Sequence, residues 1–212
     1  MSDISAVYRE LNFKHPKLVF LNGKTSTGKT TMSKKLKEKY ECAIIELDEV
    51  VSKLESPAGT NKYLEAYTKR DHLEYIESFV EAVKKRIREE LVNQDFVIIE
   101  GAIAVNETLQ EIIDEWIESF LFIYLDIKDI DVYTQRLVSR FVLSGEDDGN
   151  GLPGLFWDKF SPELLQQYYA DRRVTPAIEK VVRGYAADSI KVSESRLAMF
   201  SSNFDHILKV EI

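Results

Sequence analysis

Apolar residues follow two alternating rhythms along this chain. Compact apolar runs occur at residues 18–21, 43–48 (broken by Glu46), 96–101 and 120–126, each bounded by charged or small residues. Short runs rich in Ile, Val, Leu and Phe are the pattern of strands buried on both faces, and they predict four strands at these positions. Between them the spacing becomes helical. Met32, Leu36 and Tyr40 share one face of residues 29–40, and Ile76, Phe79, Val80, Val83, Ile87 and Leu91 form a stripe through residues 72–93. Residues 109–117 carry a shorter amphipathic pattern, and residues 131–140 another. Strands alternating with helices argue for an α/β fold with a parallel sheet covered on both faces, a three-layer sandwich.

The pattern weakens after Arg140. The segment Ser144-Gly145-Glu146-Asp147-Asp148-Gly149-Asn150-Gly151-Leu152-Pro153-Gly154 breaks the helix by composition, and Ser161-Pro162-Glu163 restarts one with a capping serine and a first-turn proline. Further on, Ser189-Ile190-Lys191-Val192 is the candidate fifth strand and residues 197–208 a closing helix. With 212 residues and 44% hydrophobic content the chain supports one domain. Its expected core is residues 17–140 and 175–212, with a lid at 141–174 and an acceptor-binding insertion at 49–72.

Charge narrows the function classes. The net charge of −8, without a concentrated basic stretch, argues against nucleic acid or an anionic membrane as partner and favours a small-molecule substrate. Cys42 is the single cysteine, which removes intramolecular disulfides and cysteine-cluster metal sites and fits a cytoplasmic setting. Residues 1–15 alternate charged and apolar positions with no apolar core of a signal peptide, and no run reaches membrane-spanning length. Oligomeric state is left open by these features.

The chemistry concentrates after the first strand. Gly23-Lys24-Thr25-Ser26-Thr27-Gly28-Lys29-Thr30, followed by Thr31, matches the spacing of a phosphate-binding P-loop and lies between a predicted strand and helix. Such a loop wraps backbone N–H groups around phosphates, while glycines permit close approach and the helix presents its positive end. Lys29 is placed to reach the outer phosphates and the Thr30 hydroxyl to bind Mg²⁺.

Further candidates follow from where strands end, because ligand crevices in open parallel sheets lie at the carboxyl ends. Asp48 ends the second run, where a carboxylate can take the proton of an attacking hydroxyl or orient Mg²⁺; Glu100, before Gly101, ends the third and can hold the metal through water. Arg136 and Arg140 are four apart and share a helix face leading into the glycine-rich break, where guanidinium groups can cover a transferring phosphoryl group. Salt bridging to Asp129 and Asp131 is the competing account. Arg172 and Arg173 are weaker candidates. Lys53, Lys62, Tyr63, Tyr67, Lys69, Arg70 and His72 could grip an acceptor, although ordinary surface roles suit most of them. His15, His72 and His206 lack metal-ligand spacing.

Val19-Phe20-Leu21-Asn22-Gly23 running into Gly28-Lys29-Thr30-Thr31, an aspartate after strand two and Glu100-Gly101 after strand three together resemble small P-loop metabolite kinases. Leu21-Asn22-Gly23 with Ser26 is similar to chloramphenicol phosphotransferase-like proteins, a resemblance that implies a base role for Asp48. Residues 97–101, the Arg136/Arg140 pair, Thr175-Pro176-Ala177-Ile178-Glu179 and Tyr185-Ala186-Ala187-Asp188 resemble the uridine kinase-like branch. No Asp-His-Pro signature follows Asp48, so a uridine or cytidine acceptor is not implied. The resemblance implies a five-stranded parallel sheet of order 2-3-1-4-5 with a lid, and ATP- and Mg²⁺-dependent phosphoryl transfer to a hydroxyl of a small acceptor. The alternative is a nucleotide-dependent switch or a non-catalytic nucleotide-binding module. Thr68-Lys69-Arg70-Asp71 imitates a guanine-reading motif but falls in a polar stretch before strand three.

Overall fold

Leu18, Val19, Phe20 and Leu21 are all inaccessible to solvent, as a doubly covered strand requires. The computed structural model describes residues 4–54, 73–101, 106–140, 160–171 and 173–212. Along the chain these form α1 (Ile4–Lys14), β1 (Leu18–Gly23), α2 (Lys29–Lys39), β2 (Cys42–Glu46), α3 (Leu47–Leu54), α4 (Leu73–Glu90), β3 (Phe96–Glu100) and α5 (Asn106–Ile113). A 3₁₀ turn (Asp114–Ser119), β4 (Phe120–Asp126), α6 (Ile130–Val138), α7 (Pro162–Asp171), α8 (Pro176–Ser201) and β5 (Ile207–Glu211) complete the order. All strand pairs are parallel, in the order β2-β3-β1-β4-β5, the predicted topology.

Two compact units result, one comprising Met1–Lys24, Gly28–Asp126 and Arg196–Ile212, the other Thr25–Thr27 and Ile127–Ser195. In the first unit, alternate side chains of each strand feed two cores. Leu18 and Phe20 face a cluster with Ile45, Ile76, Phe79, Ile99 and Phe122, closed by α3, α4, α5 and the last turns of α8. Val19 and Leu21 face the opposite cluster with Leu36, Ile98, Ile123 and Val210, covered by α1 and α2. Phe122 centres an aromatic group, with ring centroids 5.1 Å from Phe20, 5.0 Å from Phe200 and 5.6 Å from Phe204.

The second unit contains α6, α7 and most of α8. Asp129 caps α6 by accepting from the backbone N–H of Asp131 (2.8 Å) and Val132 (3.1 Å). Ser161 caps α7 as expected, its Oγ accepting from Leu164 N at 3.3 Å. Arg183 pairs with Asp131.

Several elements differ from expectation. Residues 189–192 are helical, inside the 26-residue α8, and the fifth strand is Ile207–Glu211, within and beyond the expected closing helix. Ile178, Val182, Ala186, Ser193 and Phe200 are buried at helical spacing, a stripe that overrides the short β-branched signal of Ile190 and Val192. Among the described residues β5 pairs only with β4, so it is a half-exposed edge and lacks the continuous apolar run of the inner strands. The second strand also stops earlier, at Glu46, and Leu47 and Asp48 open α3. The expected lid and acceptor insertion fall largely outside the described residues, as do Lys62, Tyr63, Tyr67, the Thr68–Asp71 motif, His72 and Arg172.

Candidate functional site

β1 ends at Gly23 and α2 begins at Lys29, so the connection must reverse tightly. Positive φ values at Ser26 (61°) and Gly28 (93°) make the turn. Gly28 adopts this conformation without penalty, whereas Ser26 is held in it at a cost of about 1–2 kcal/mol. Ser26 Oγ is buried with no hydrogen-bond partner among the described residues, which fits a loop whose polar groups are completed by a ligand. Gly28 is the cap residue of α2 and brings no capping side chain. The first intrahelical bond runs from Met32 N to Gly28 O at 2.9 Å, so the N–H groups of Lys29, Thr30 and Thr31 have no intrahelical acceptor. That helix end therefore presents donors and a positive dipole to the loop, a ready site for anionic phosphate.

Lys29 Nζ donates to the carbonyls of Gly23 (3.0 Å) and Lys24 (3.1 Å), which fold the ammonium back over the start of the loop. Beside it, the Glu100 carboxylate is 7% exposed and accepts from Thr30 Oγ1 at 2.5 Å through Oε1 and from Ser33 Oγ at 2.7 Å through Oε2. The register that pairs Glu100 with Leu21 of β1 and Glu46 of β2 brings the carboxylate to the loop. Ser33 was not among the expected site residues; its spacing of three from Thr30, on the same helix face, is the signal that could have found it. Thr30 and Glu100 supply hard oxygen donors suited to Mg²⁺, which takes few protein ligands and completes its shell from phosphate and water. Among the described residues no group of three or more His, Cys, Asp or Glu forms a self-sufficient metal cage.

Asp48 lies in the first turn of α3, two residues after the end of β2 and thus at the same carboxyl end of the sheet as Glu100. It is exposed and has no hydrogen-bond or ion-pair partner among the described residues. The adjacent Glu49 is engaged with Lys53 (2.6 Å) and Arg86 (3.0 Å), and those hydrogen bonds hold its carboxyl below the ordinary range. Packing against Leu47 explains the glycine after Glu100. A Cβ there would lie 2.7 Å from Leu47 Cδ1, so only hydrogen fits beside the residue preceding Asp48.

Sequence reasoning missed Asp126, at the end of β4. Its Oδ1 accepts from Lys24 Nζ at 2.9 Å, with both side chains buried, and Lys209 Nζ approaches Oδ2 at 3.4 Å. Burial pushes the Asp126 carboxyl up, but the Lys24 hydrogen bond and the two positive charges outweigh it and hold the carboxyl below the usual aspartate value. Removing one partner of such a buried pair costs about 3–5 kcal/mol. The pairing spans 102 residues, so no local pattern announces it.

In the second unit, Arg136 is half-buried and its Nη1 donates to the carbonyl of Thr27 at 3.4 Å, a long bond to the residue preceding Gly28. Arg140 is exposed, beyond the end of α6, and Arg173 is exposed before α8. An open cavity of about 440 Å³ in the same unit is lined by Thr134, Gln135, Ser139, Val174, Glu179 and Arg183.

A parallel 2-3-1-4-5 sheet whose first strand opens through this loop into a helix defines a P-loop nucleotide-binding protein. Within that class the chain belongs to the AAA domain family, whose model matches residues 23–151, over half the chain. Solved structures similar to it include a sugar kinase from Janibacter sp., determined without ligand, at 17% identity and a TM-score of 0.42, covering 85% of this chain and 98% of the other. A gluconokinase from Sinorhizobium meliloti matches at 14% identity and a TM-score of 0.42, over 90% and 99% of the two chains. No curated protein matches the sequence. No described helix is long and apolar enough to cross a membrane.

Proposed function

We propose that this protein is an ATP- and Mg²⁺-dependent phosphotransferase acting on a hydroxyl of a small molecule, of nucleoside or antibiotic-like size. The observation that carries the reading is the buried Glu100 carboxylate, clamped by Thr30 and Ser33 directly beside the Lys29-bearing loop. A purely structural glycine turn has no need of a buried carboxylate aimed at its threonine.

Residues Gly23 to Thr31 enclose the phosphates, and Lys29 exchanges its two carbonyl partners for the outer phosphate oxygens. Thr30 and Glu100, with Asp48, are the groups that would hold Mg²⁺, which supplies charge neutralisation between the phosphate oxygens. Asp48, exposed at the carboxyl end of the sheet, accepts the proton of the acceptor hydroxyl as the new O–P bond forms and the bond from the γ-phosphorus to the ADP oxygen breaks. Arg136 and Arg140 supply positive charge to the transferring group.

The test is a screen of sugars, nucleosides and amino alcohols with Mg-ATP, read as phosphorylated product by phosphorus NMR. Asp48→Asn should lower turnover by about a hundredfold or more while leaving the affinity for metal-free ATP unchanged. Full turnover in that variant would remove Asp48 from the base role. Tight ATP binding without product from any acceptor would favour the non-catalytic module, and strong preference for GTP would favour the switch.

A further inference from the structure

A lysine whose own side chain is buried occupies the second position of the loop, and it is held from outside the loop. Lys24 Nζ bonds Asp126 at the end of β4, while the carbonyl of the same Lys24 accepts from Lys29 Nζ. One residue thus joins the β4 aspartate to the P-loop lysine through two hydrogen bonds of 2.9 and 3.1 Å. Asp126 is itself fixed. Its backbone carbonyl accepts from Ile212 N at 2.9 Å, its Oδ2 faces Lys209, and its strand is registered to β1 as far as Gly23↔Leu125. The anchor therefore belongs to the sheet, and the tethered residue to the loop.

We propose that Asp126 is a positioning residue of the phosphate site: through Lys24 it presets the loop so that the Gly23 and Lys24 carbonyls hold Lys29 in place before nucleotide arrives. The inference rests on the phosphotransferase reading for its purpose but not for its test. A loop already set in its binding shape loses little freedom on binding, and a loop released from its anchor binds only from the fraction of molecules that adopt that shape. Lys24 serves as tether, because its ammonium is consumed by Asp126 instead of being offered to phosphate.

The experiment uses the full chain with Asp126→Asn, Lys24→Met and the double variant. Lys24→Met leaves Asp126 with Lys209, so it keeps the test open if Asp126→Asn fails to fold. Backbone amide NMR of the free protein is the first readout. Each variant should move the Gly28 and Lys29 resonances in the same direction, with residues 18–21 unmoved. Titration with a fluorescent ATP analogue and Mg²⁺ is the second: each single variant should bind about tenfold more weakly, and the double no more weakly than either single. Unmoved Gly28 and Lys29 resonances, wild-type affinity, or additive losses in the double variant would overturn the proposal. If the wild-type protein bound no nucleotide while the coupled resonance shifts persisted, the phosphotransferase reading would fall and the tether would stand.

Discussion

Replacing Gly101 by alanine isolates one steric contact beside the site. The added Cβ would sit 2.7 Å from Leu47 Cδ1 and 2.9 Å from both Leu47 Cβ and Cγ. Leu47 is fully buried, and its Cβ can retreat only if the backbone at the start of α3 moves. Overpacking of this kind costs about 1–3 kcal/mol. Gly101 is not among the positive-φ residues, so alanine also restricts the unfolded chain without backbone strain, which offsets about 0.4–1 kcal/mol. The net expectation is roughly 1–2 kcal/mol of destabilisation, a fall in Tm of about 2–8 °C at this chain length. Asp48, the proposed base, follows Leu47 directly, and displacement of a reacting group by an ångström costs about a hundredfold in rate, so on the proposed function kcat should fall while ATP affinity holds. Thermal unfolding by circular dichroism and steady-state kinetics read the two effects. Leu47→Ala alone should cost about 2–5 kcal/mol, yet combined with Gly101→Ala it should cost at least about 1 kcal/mol less than the sum, because the Cδ1 and Cγ clashes disappear. A wild-type Tm in Gly101→Ala, or strict additivity in the pair, would show that Leu47 does not crowd position 101.

Glu100→Gln keeps the shape that Thr30 and Ser33 engage but removes the charge, and the Mg²⁺ concentration for half-maximal turnover should rise about tenfold or more, measured by metal titration at saturating ATP. Acid should weaken the fold through Asp126. Its carboxyl is held below the ordinary aspartate value of 3.8, so the stabilisation is complete above that pH and is lost as pH falls through the lower folded value. Urea midpoints taken from pH 5 downward should fall less steeply in Asp126→Asn than in the wild type, and parallel slopes would remove Asp126 from the acid response.

The loop, its flanking strand and helix, and the inner strands β1, β3 and β4 were legible because their signals are local. Residues covered on both faces must be apolar in sequence, and a phosphate loop needs glycines and a lysine at fixed spacing. β5 was not legible. An edge strand with one neighbour needs no continuous apolar run, and Ile207–Glu211 competes poorly with the β-branched segment at residues 189–192, which the long helical stripe of α8 claims.

The sequence alone located a phosphate-binding loop between β1 and α2 in a parallel α/β sheet, and it singled out Glu100 and Asp48 as carboxylates at or just after strand ends. Which side chains those groups meet depends on the tertiary structure. Parallel register set Glu100 against Thr30 and Ser33, and packing of α3 against the end of β3 made Gly101 obligatory beside Leu47. The pairing of Lys24 with Asp126 arises because two parallel neighbours, β1 and β4, end at the same carboxyl end of the sheet, although 102 residues separate the partners. Local periodicity carries no information about such pairs; register and burial do.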